Sequence, residues 1–169
     1  MHLLITPAKR SDAALITQIL REAALWLQDT GKPLWEASQF TEEKILPETH
    51  LYYLVNVDSD AAGLFKLEGT DDLFWPDVDQ TKSLFLHKLV VRRLYAGTGL
   101  STAILQYAIE ETKRRGRGYL RLDCEASRPR LRALYERFGF KHHSDRQVGC
   151  FSCSRYEYKI IDESVPPSI

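Results

Sequence analysis

The stretch that decides the fold is Leu84–Arg115, which reads LFLHKLVVRRLYAGTGLSTAILQYAIEETKRR. Its first part, Leu84–Val91, is a short apolar run of the kind found in strands buried on both faces. A turn with Gly97 and Gly99 follows, and apolar residues then recur at the spacing of one helix face. Three cations just before Gly116 are a helix stop signal. The stretch therefore predicts a strand, a glycine-rich turn and a helix in succession.

This arrangement predicts a site for a phosphate-bearing ligand. The first N–H groups of a helix have no backbone partners, and the helix dipole adds partial positive charge there. Gly97 and Gly99 would let a phosphate approach the backbone, and Arg92 and Arg93 stand just ahead of the turn. A strand-to-helix turn without a ligand is the alternative, because glycines are common in turns.

Two familiar phosphate motifs fit poorly. A Walker loop needs a Lys directly after its last glycine, and Leu100 follows Gly99 instead. The dinucleotide fingerprint needs Gly or Ala three residues after its second glycine, where this chain has Thr102. A nicotinamide-dependent reductase is therefore disfavoured.

The segment Leu94-Tyr95-Ala96-Gly97-Thr98-Gly99 resembles the acetyl-CoA signature of the GCN5-related N-acetyltransferases (GNAT), which is Gln or Arg-x-x-Gly-x-Gly or Ala after a strand. Leu94 stands where the family has Gln or Arg. In the family that position contributes mainly its backbone N–H to the pyrophosphate, and Arg93 would supply charge here.

Length and composition limit the classes of function. The 169 residues predict a single domain over 1–169, with a core from about 3 to 160. Basic and acidic residues balance at 23 each, which argues against nucleic-acid binding. Because no apolar run is long enough for a membrane span, a cytoplasmic protein without membrane contacts is expected. Cys150 and Cys153 are interpreted as reduced structural residues, and no metal site is predicted.

The order of predicted elements is β-α-α-β-β-β-α-β-α-β-β. It begins with a strand at Leu3–Thr6 and a helix capped by Ser11, and its last strands lie within Val148–Ile161. Helices and strands alternate only in the second half. This pattern predicts a mixed α/β fold with a mostly antiparallel central sheet, helices on both faces and a parallel pair around the central helix. The same order resembles the GNAT fold over roughly residues 3–160. Residues from Glu163 onward are expected to form a loose tail.

A second motif, Leu134-Tyr135-Glu136-Arg137-Phe138-Gly139-Phe140, is similar to the Leu-Tyr-x-x-x-Gly-Phe that ends the last helix of the family. Arg128 replaces the Asn that the family usually has seven positions before this Tyr. An Arg there would reach a CoA phosphate. Taken alone, an aromatic such as Tyr135 on an apolar helix face is more often a core residue.

The resemblance implies transfer of an acetyl group from acetyl-CoA to a primary amine. Leu89, Val90 and Val91 would hold the pantetheine arm, with an amide near Val90 or Val91 facing the thioester oxygen. Tyr135 would protonate the leaving thiolate, because a phenol is protonated at neutral pH. The predicted pyrophosphate-binding residues, besides Arg128, are Arg93, Leu94, Tyr95, Ala96, Gly97, Thr98, Gly99, Leu100 and Ser101.

The general base has three candidates. His87 lies on the central strand, two residues before Leu89 and therefore on the same face. Glu68 would act through a water, and solvent itself is the third candidate.

The acceptor is expected to be an amine of a small molecule or peptide. Trp26, Trp35, Trp75 and the acids of the Gly69–Lys82 loop lie in parts that face the acceptor in the family, where they would receive a cation or else serve structural roles. A homodimer is a further expectation. A CoA-binding regulatory module without turnover is the alternative function.

Overall fold

The computed structural model describes residues 1–161, so the predicted tail from Glu163 onward lies outside the described residues. The described chain forms two compact units. The first comprises Met1–Leu67 and His87–Leu105, and the second comprises Glu68–Leu86 and the chain from Gln106 onward.

The regular elements follow the predicted order. The strands are β1 (Leu3–Pro7), β2 (Tyr52–Val57), β3 (Asp60–Glu68), β4 (Ser83–Val91), β5 (Tyr119–Glu125), β6 (Lys141–Val148) and β7 (Phe151–Lys159). The helices are α1 (Ala13–Asp29), α2 (Glu42–Ile45), α3 (Leu100–Arg114) and α4 (Pro129–Phe138). None of the helices in residues 1–161 combines the length and apolar character that a membrane crossing requires.

The seven strands belong to one sheet in the order β1-β2-β3-β4-β5-β7-β6. The pairs β1–β2, β2–β3, β5–β7 and β6–β7 are antiparallel, whereas β4–β5 is parallel. This confirms the predicted mixed α/β fold, with its mostly antiparallel sheet and its parallel pair joined through α3.

The first unit is built on the apolar face of α1. Ile16, Ile19 and Leu20 are fully buried and pack in one cluster with residues of β2 and β3 such as Tyr52 and Leu64. Burying a side chain of this size contributes roughly 1.5–3 kcal/mol, so this cluster stabilises the unit.

In the second unit, β5 has one charged face and one apolar face. The register with β7 pairs Arg121 with Glu157 and Asp123 with Arg155, and between them it pairs Leu122 with Tyr156. Successive side chains of a strand point to opposite faces, so the charged pairs share one face and Leu122 and Tyr156 share the other. Tyr156 contacts the ring of Tyr135 in α4, with 6.1 Å between ring centroids.

Two local predictions were wrong. Helix α1 has its N-cap at Asp12, not Ser11, because Arg10–Asp12 forms a short 3-10 helix in which the Asp12 carboxylate accepts the Lys9 N–H at 2.7 Å. Strand β6 begins at Lys141, before the predicted Val148. Its sequence KHHSDRQV lacks an apolar face because β6 is the last strand of the sheet, with one neighbour, β7.

Candidate functional site

Strand β4 has an irregularity in the middle of its predicted site residues. Lys88 has a φ of 53°, a left-handed conformation that residues other than glycine seldom adopt. Its ammonium lies over the rings of Trp35 and Phe40, with Nζ 4.5 and 5.3 Å from their centroids. The turn at Lys88 interrupts the two-residue alternation of the strand, so sequence spacing does not place His87 and Leu89 on the same face.

The glycine turn leads directly into α3. Gly97 and Gly99 have φ values of 76° and 85°, and a Cβ on either would meet no atom within 4 Å. Glycine is therefore required at both positions by the backbone conformation, and the space beside them is open. The Ala103 N–H donates to the Gly99 carbonyl at 3.2 Å, which makes Gly99 the N-cap of α3.

The backbone amides of this turn divide into two groups. Those of Tyr95, Ala96 and Thr98 already donate to carbonyls within the turn, at 2.8, 3.1 and 3.3 Å. The amides of the first turn of α3, from Leu100, have no partner inside the helix. They offer donors at the positive end of the helix dipole, beside open glycines, and this arrangement fits a pyrophosphate.

The two arginines ahead of the turn have different surroundings. Arg92 donates from Nε and Nη2 to the Glu22 carboxylate, at 3.0 and 2.9 Å. Arg93 instead stacks on the exposed ring of Trp26, with 4.1 Å from its guanidinium carbon to the ring centroid. A neutral ring leaves the charge of Arg93 intact, so Arg93 is the better candidate for a phosphate ligand. Leu94 is 85 % exposed, so its side chain has no packing role.

The parallel ladder between β4 and β5 is short. It comprises Ser83–Tyr119, Leu84–Leu120 and Phe85–Arg121, whereas the ladder between β5 and β7 continues to Glu125–Cys153. Strand β4 likewise extends to Val91, and it carries the predicted pantetheine residues Leu89, Val90 and Val91 beyond this ladder. Backbone groups past the end of a ladder are suited to pairing with an extended ligand such as a pantetheine arm.

Tyr135 lies on the buried face of α4. Its ring contacts Phe140 and Tyr156, with centroids 5.9 and 6.1 Å away. Burial, with smaller contributions from Cys124 and Asp123, raises the pKa of Tyr135, so the phenol is fully protonated at neutral pH. The hydroxyl therefore has a proton to donate.

Arg128 is the N-cap residue of α4, and it donates from Nε to the Glu125 carboxylate at 2.7 Å. This ion pair holds the start of α4 against the end of β5. The predicted contact of Arg128 with a phosphate stays a prediction.

The buried thiols are poor nucleophiles. Burial raises the pKa of Cys124 to about 12 and that of Cys153 to about 11, so both are protonated at neutral pH. Cys150 is exposed in the turn between β6 and β7. All three cysteines are free, as expected.

Two acids and the tryptophan of the Gly69–Lys82 loop form contacts within the second unit. Trp75 is fully buried, and the guanidinium of Arg155 lies 4.7 Å from its ring centroid. Arg155 also holds Asp77 at 2.6 Å, and Asp79 accepts the Thr81 N–H at 3.0 Å. These contacts match the structural alternative in the sequence analysis, and the role of Trp75 and the loop acids in receiving the acceptor stays a prediction.

One residue of the site was missed by the sequence analysis. Glu22 lies on the polar side of α1, far from the turn in sequence, and it becomes relevant only through its contact with Arg92. An acidic residue on an exposed helix face carries no signal of its own, so only the tertiary structure identifies it.

The comparison with known families agrees with this arrangement. Residues 16–140 match the model of the acetyltransferase (GNAT) family, and the chain belongs to that family. It is accordingly an enzyme, an acyltransferase of the acetyl-CoA-dependent N-acetyltransferase class.

Three individual proteins illustrate the relationship. The chain is 29% identical over 143 residues to the uncharacterized N-acetyltransferase YesJ of Bacillus subtilis (strain 168), covering 80% of this chain and 79% of YesJ. YncA of Salmonella typhimurium, a putative acetyltransferase solved with its cofactor acetyl-CoA, is 16% identical with a TM-score of 0.73 over 100% of both chains. The aminoglycoside acetyltransferase AAC(6')-Ib, solved with coenzyme A and kanamycin, is 15% identical with a TM-score of 0.76 over 94% of this chain and 95% of that chain.

Proposed function

We propose that this protein transfers the acetyl group of acetyl-CoA directly to a primary amine of a small molecule or peptide, with both substrates bound together. The observation that carries the proposal is the start of α3, where first-turn amides without a partner inside the helix adjoin two left-handed glycines with open space beside them. Acetyl-CoA, when bound, supplies the activated acyl group as a thioester. Bound acetyl-CoA and kanamycin in the structures of related proteins support this choice of donor and of a small amine as acceptor.

The donor would be held by backbone groups. The first-turn amides at Leu100 and Ser101, with Gly97 and Gly99 beside them, would bind the pyrophosphate, and Arg93 would add positive charge. Leu89, Val90 and Val91 would pair with the pantetheine arm, and the amide near Val90 or Val91 would stabilise negative charge on the thioester oxygen. Arg128 would contribute a further phosphate contact.

Tyr135 would act as the general acid. A leaving thiolate needs a proton, and the buried phenol of Tyr135 is protonated. His87 would remove the proton from the attacking ammonium, and Glu68 acting through a water or solvent itself are the alternatives. An amine is nucleophilic only after that proton has left.

The state of the cysteines supports direct transfer over a covalent acyl-cysteine intermediate. Such an intermediate needs a thiolate, and burial keeps Cys124 and Cys153 in the thiol form. Direct transfer predicts initial-rate lines that intersect when both substrates are varied. Parallel lines, the pattern of a ping-pong mechanism, would contradict it.

The first test is thermal stability with acetyl-CoA, CoA, NAD and ATP in parallel. A ligand that binds only the folded protein stabilises it by roughly 2.7 kcal/mol at a hundredfold excess over its Kd. A rise in Tm with acetyl-CoA and CoA, but not with NAD or ATP, supports the proposed donor. A rise in Tm with NAD, or an unchanged Tm with both CoA forms, overturns it. CoA release would then be followed with pools of amines, using an amine-free blank because Cys150 is a free, exposed thiol that a thiol reagent would also count.

A further inference from the structure

Arg92 forms several hydrogen bonds at the position where β4 ends and the glycine turn begins. Two of its guanidinium nitrogens hold Glu22 of α1, and Nη1 donates to the carbonyl of Ala61 at 3.0 Å. Its backbone N–H donates to the Ala62 carbonyl at 2.8 Å. One residue thus ties the start of the turn to α1 and to β3.

The turn continues from this anchor through its own hydrogen bonds. The Arg92 carbonyl accepts the Tyr95 N–H at 2.8 Å, and the Tyr95 carbonyl accepts the Thr98 N–H at 3.3 Å and the Thr98 hydroxyl at 2.6 Å. Gly99 follows directly as the N-cap of α3. A shift of Arg92 would therefore be passed along the turn to the glycines and to the first amides of the helix.

Arg92 is neutralised by its partner. Burial alone would raise the pKa of Glu22, but hydrogen bonds from Arg92 and Gln18 hold that pKa below its ordinary value, so the carboxylate is charged at neutral pH. The side chains of Arg92 and Glu22 are 28% and 44% exposed. A guanidinium that already forms a bidentate pair and a third hydrogen bond has little capacity left for a phosphate.

We propose that Arg92 and Glu22 are positioning residues for the pyrophosphate-binding turn, and that they act on donor affinity without touching the donor. This inference rests on the proposed function, because it assumes that the turn binds the pyrophosphate of CoA. The two adjacent arginines then have different roles. Arg92 maintains the conformation of the turn, and Arg93 supplies positive charge to the pyrophosphate.

The substitution E22Q distinguishes positioning from direct binding. If Arg92 were a phosphate ligand, E22Q would release it from its carboxylate, and CoA would bind equally well or more tightly. Positioning predicts the opposite, a rise of about tenfold in the Kd of CoA measured by calorimetry, since small misplacements of binding groups are costly. R92M should cause at least the same loss.

The second measurement uses pantetheine, which has the arm of CoA without its pyrophosphate and nucleotide. Its Kd, obtained by competition against CoA, should change less than about twofold in E22Q, because the altered turn would not contact it. E48Q is the matched control: it removes a carboxylate of similar exposure, 45%, from its pair with Lys66 in the same unit. E48Q should leave both constants unchanged.

Each outcome has one meaning. Weaker CoA binding in E22Q, with an unchanged pantetheine constant and a Tm close to that of E48Q, supports the inference. Unchanged or tighter CoA binding, or equal losses for both ligands, overturns it. Should R92M fail to fold, E22Q decides alone, since it keeps the size of a half-exposed side chain. A wild-type protein that binds no CoA would overturn the proposed function instead.

Discussion

Gly63 of β3 lies directly against the backbone carbonyl of Val90 in β4, so closely that a methyl group at Gly63 would overlap the Val90 oxygen. Val90 is one of the residues proposed to hold the pantetheine arm. The absence of a side chain at Gly63 therefore lets β4 follow its observed path through the candidate site.

Replacing Gly63 by Ala should destabilise the protein and displace Val90. Overpacking of this kind costs about 1–3 kcal/mol, which corresponds to a fall of at least about 2 °C in Tm. CoA affinity should fall as well. Gly69→Ala is the control, since a Cβ at Gly69 meets no atom within 4 Å. Equal Tm and CoA affinity in the two variants would show that β4 accommodates the methyl group without cost.

Replacing Tyr135 by Phe should remove the proton donor while keeping the ring. We expect kcat to fall by about 10²–10⁴, the usual contribution of a general acid, while the KM for acetyl-CoA stays nearly constant. Tyr158→Phe is the control, because its ring packs on Phe138 and Phe140 in the same aromatic cluster. Turnover that survives intact in Tyr135→Phe would remove Tyr135 from the mechanism.

Replacing His87 by Ala tests the general base through the pH profile. A base works only when deprotonated, so the wild-type rate should fall at acidic pH, and the variant should lose activity most at neutral pH. Rates would be measured between about pH 6 and 9. His50→Ala, at an exposed position in the same unit, is the control. Full activity of His87→Ala over this range would assign the base to Glu68 or solvent.

The ion pair of Asp77 and Arg155 should contribute to stability in a pH-dependent way. Hydrogen bonds from Arg155 lower the pKa of Asp77 to about 2, from about 3.9 in an unfolded chain. Because the folded value is the lower one, the contribution is present above about pH 4 and disappears as the pH falls through about 2.

Asp77→Asn should therefore lower Tm at pH 7, and its difference from wild type should shrink between about pH 4 and 2. Asp77 is half exposed, so the loss should be about 1 kcal/mol at most. Asp72→Asn, at an exposed acid on the same loop, is the control. A difference that stays constant down to pH 2 would exclude the ion pair as its source.

Much of the fold could be predicted because its signals are local. The apolar run of β4, the glycines and the cations ahead of Gly116 set the strand, the turn and the helix within a residue or so of their observed bounds. Strand β6 could not be located, because an edge strand with polar residues on both faces has no periodic pattern. The left-handed backbone conformation of Lys88 could not be predicted either, because the residues around Lys88 in the sequence are typical of a regular strand.

The sequence by itself determined which residues are candidates for the chemistry of the site. Glycines at 97 and 99, the phenol at Tyr135 and the imidazole at His87 are fixed by residue type, and their motifs alone indicated the family. The tertiary structure decided which groups are free to act. Arg92 is paired with Glu22, whereas Arg93 stacks on a neutral ring and keeps its charge. Tyr135 is buried as a protonated phenol. Asp77 is paired with Arg155, whose guanidinium also lies against Trp75. The physical reason is that hydrogen bonds, ion pairs and burial depend on neighbours distant in sequence, and only folding brings those neighbours together.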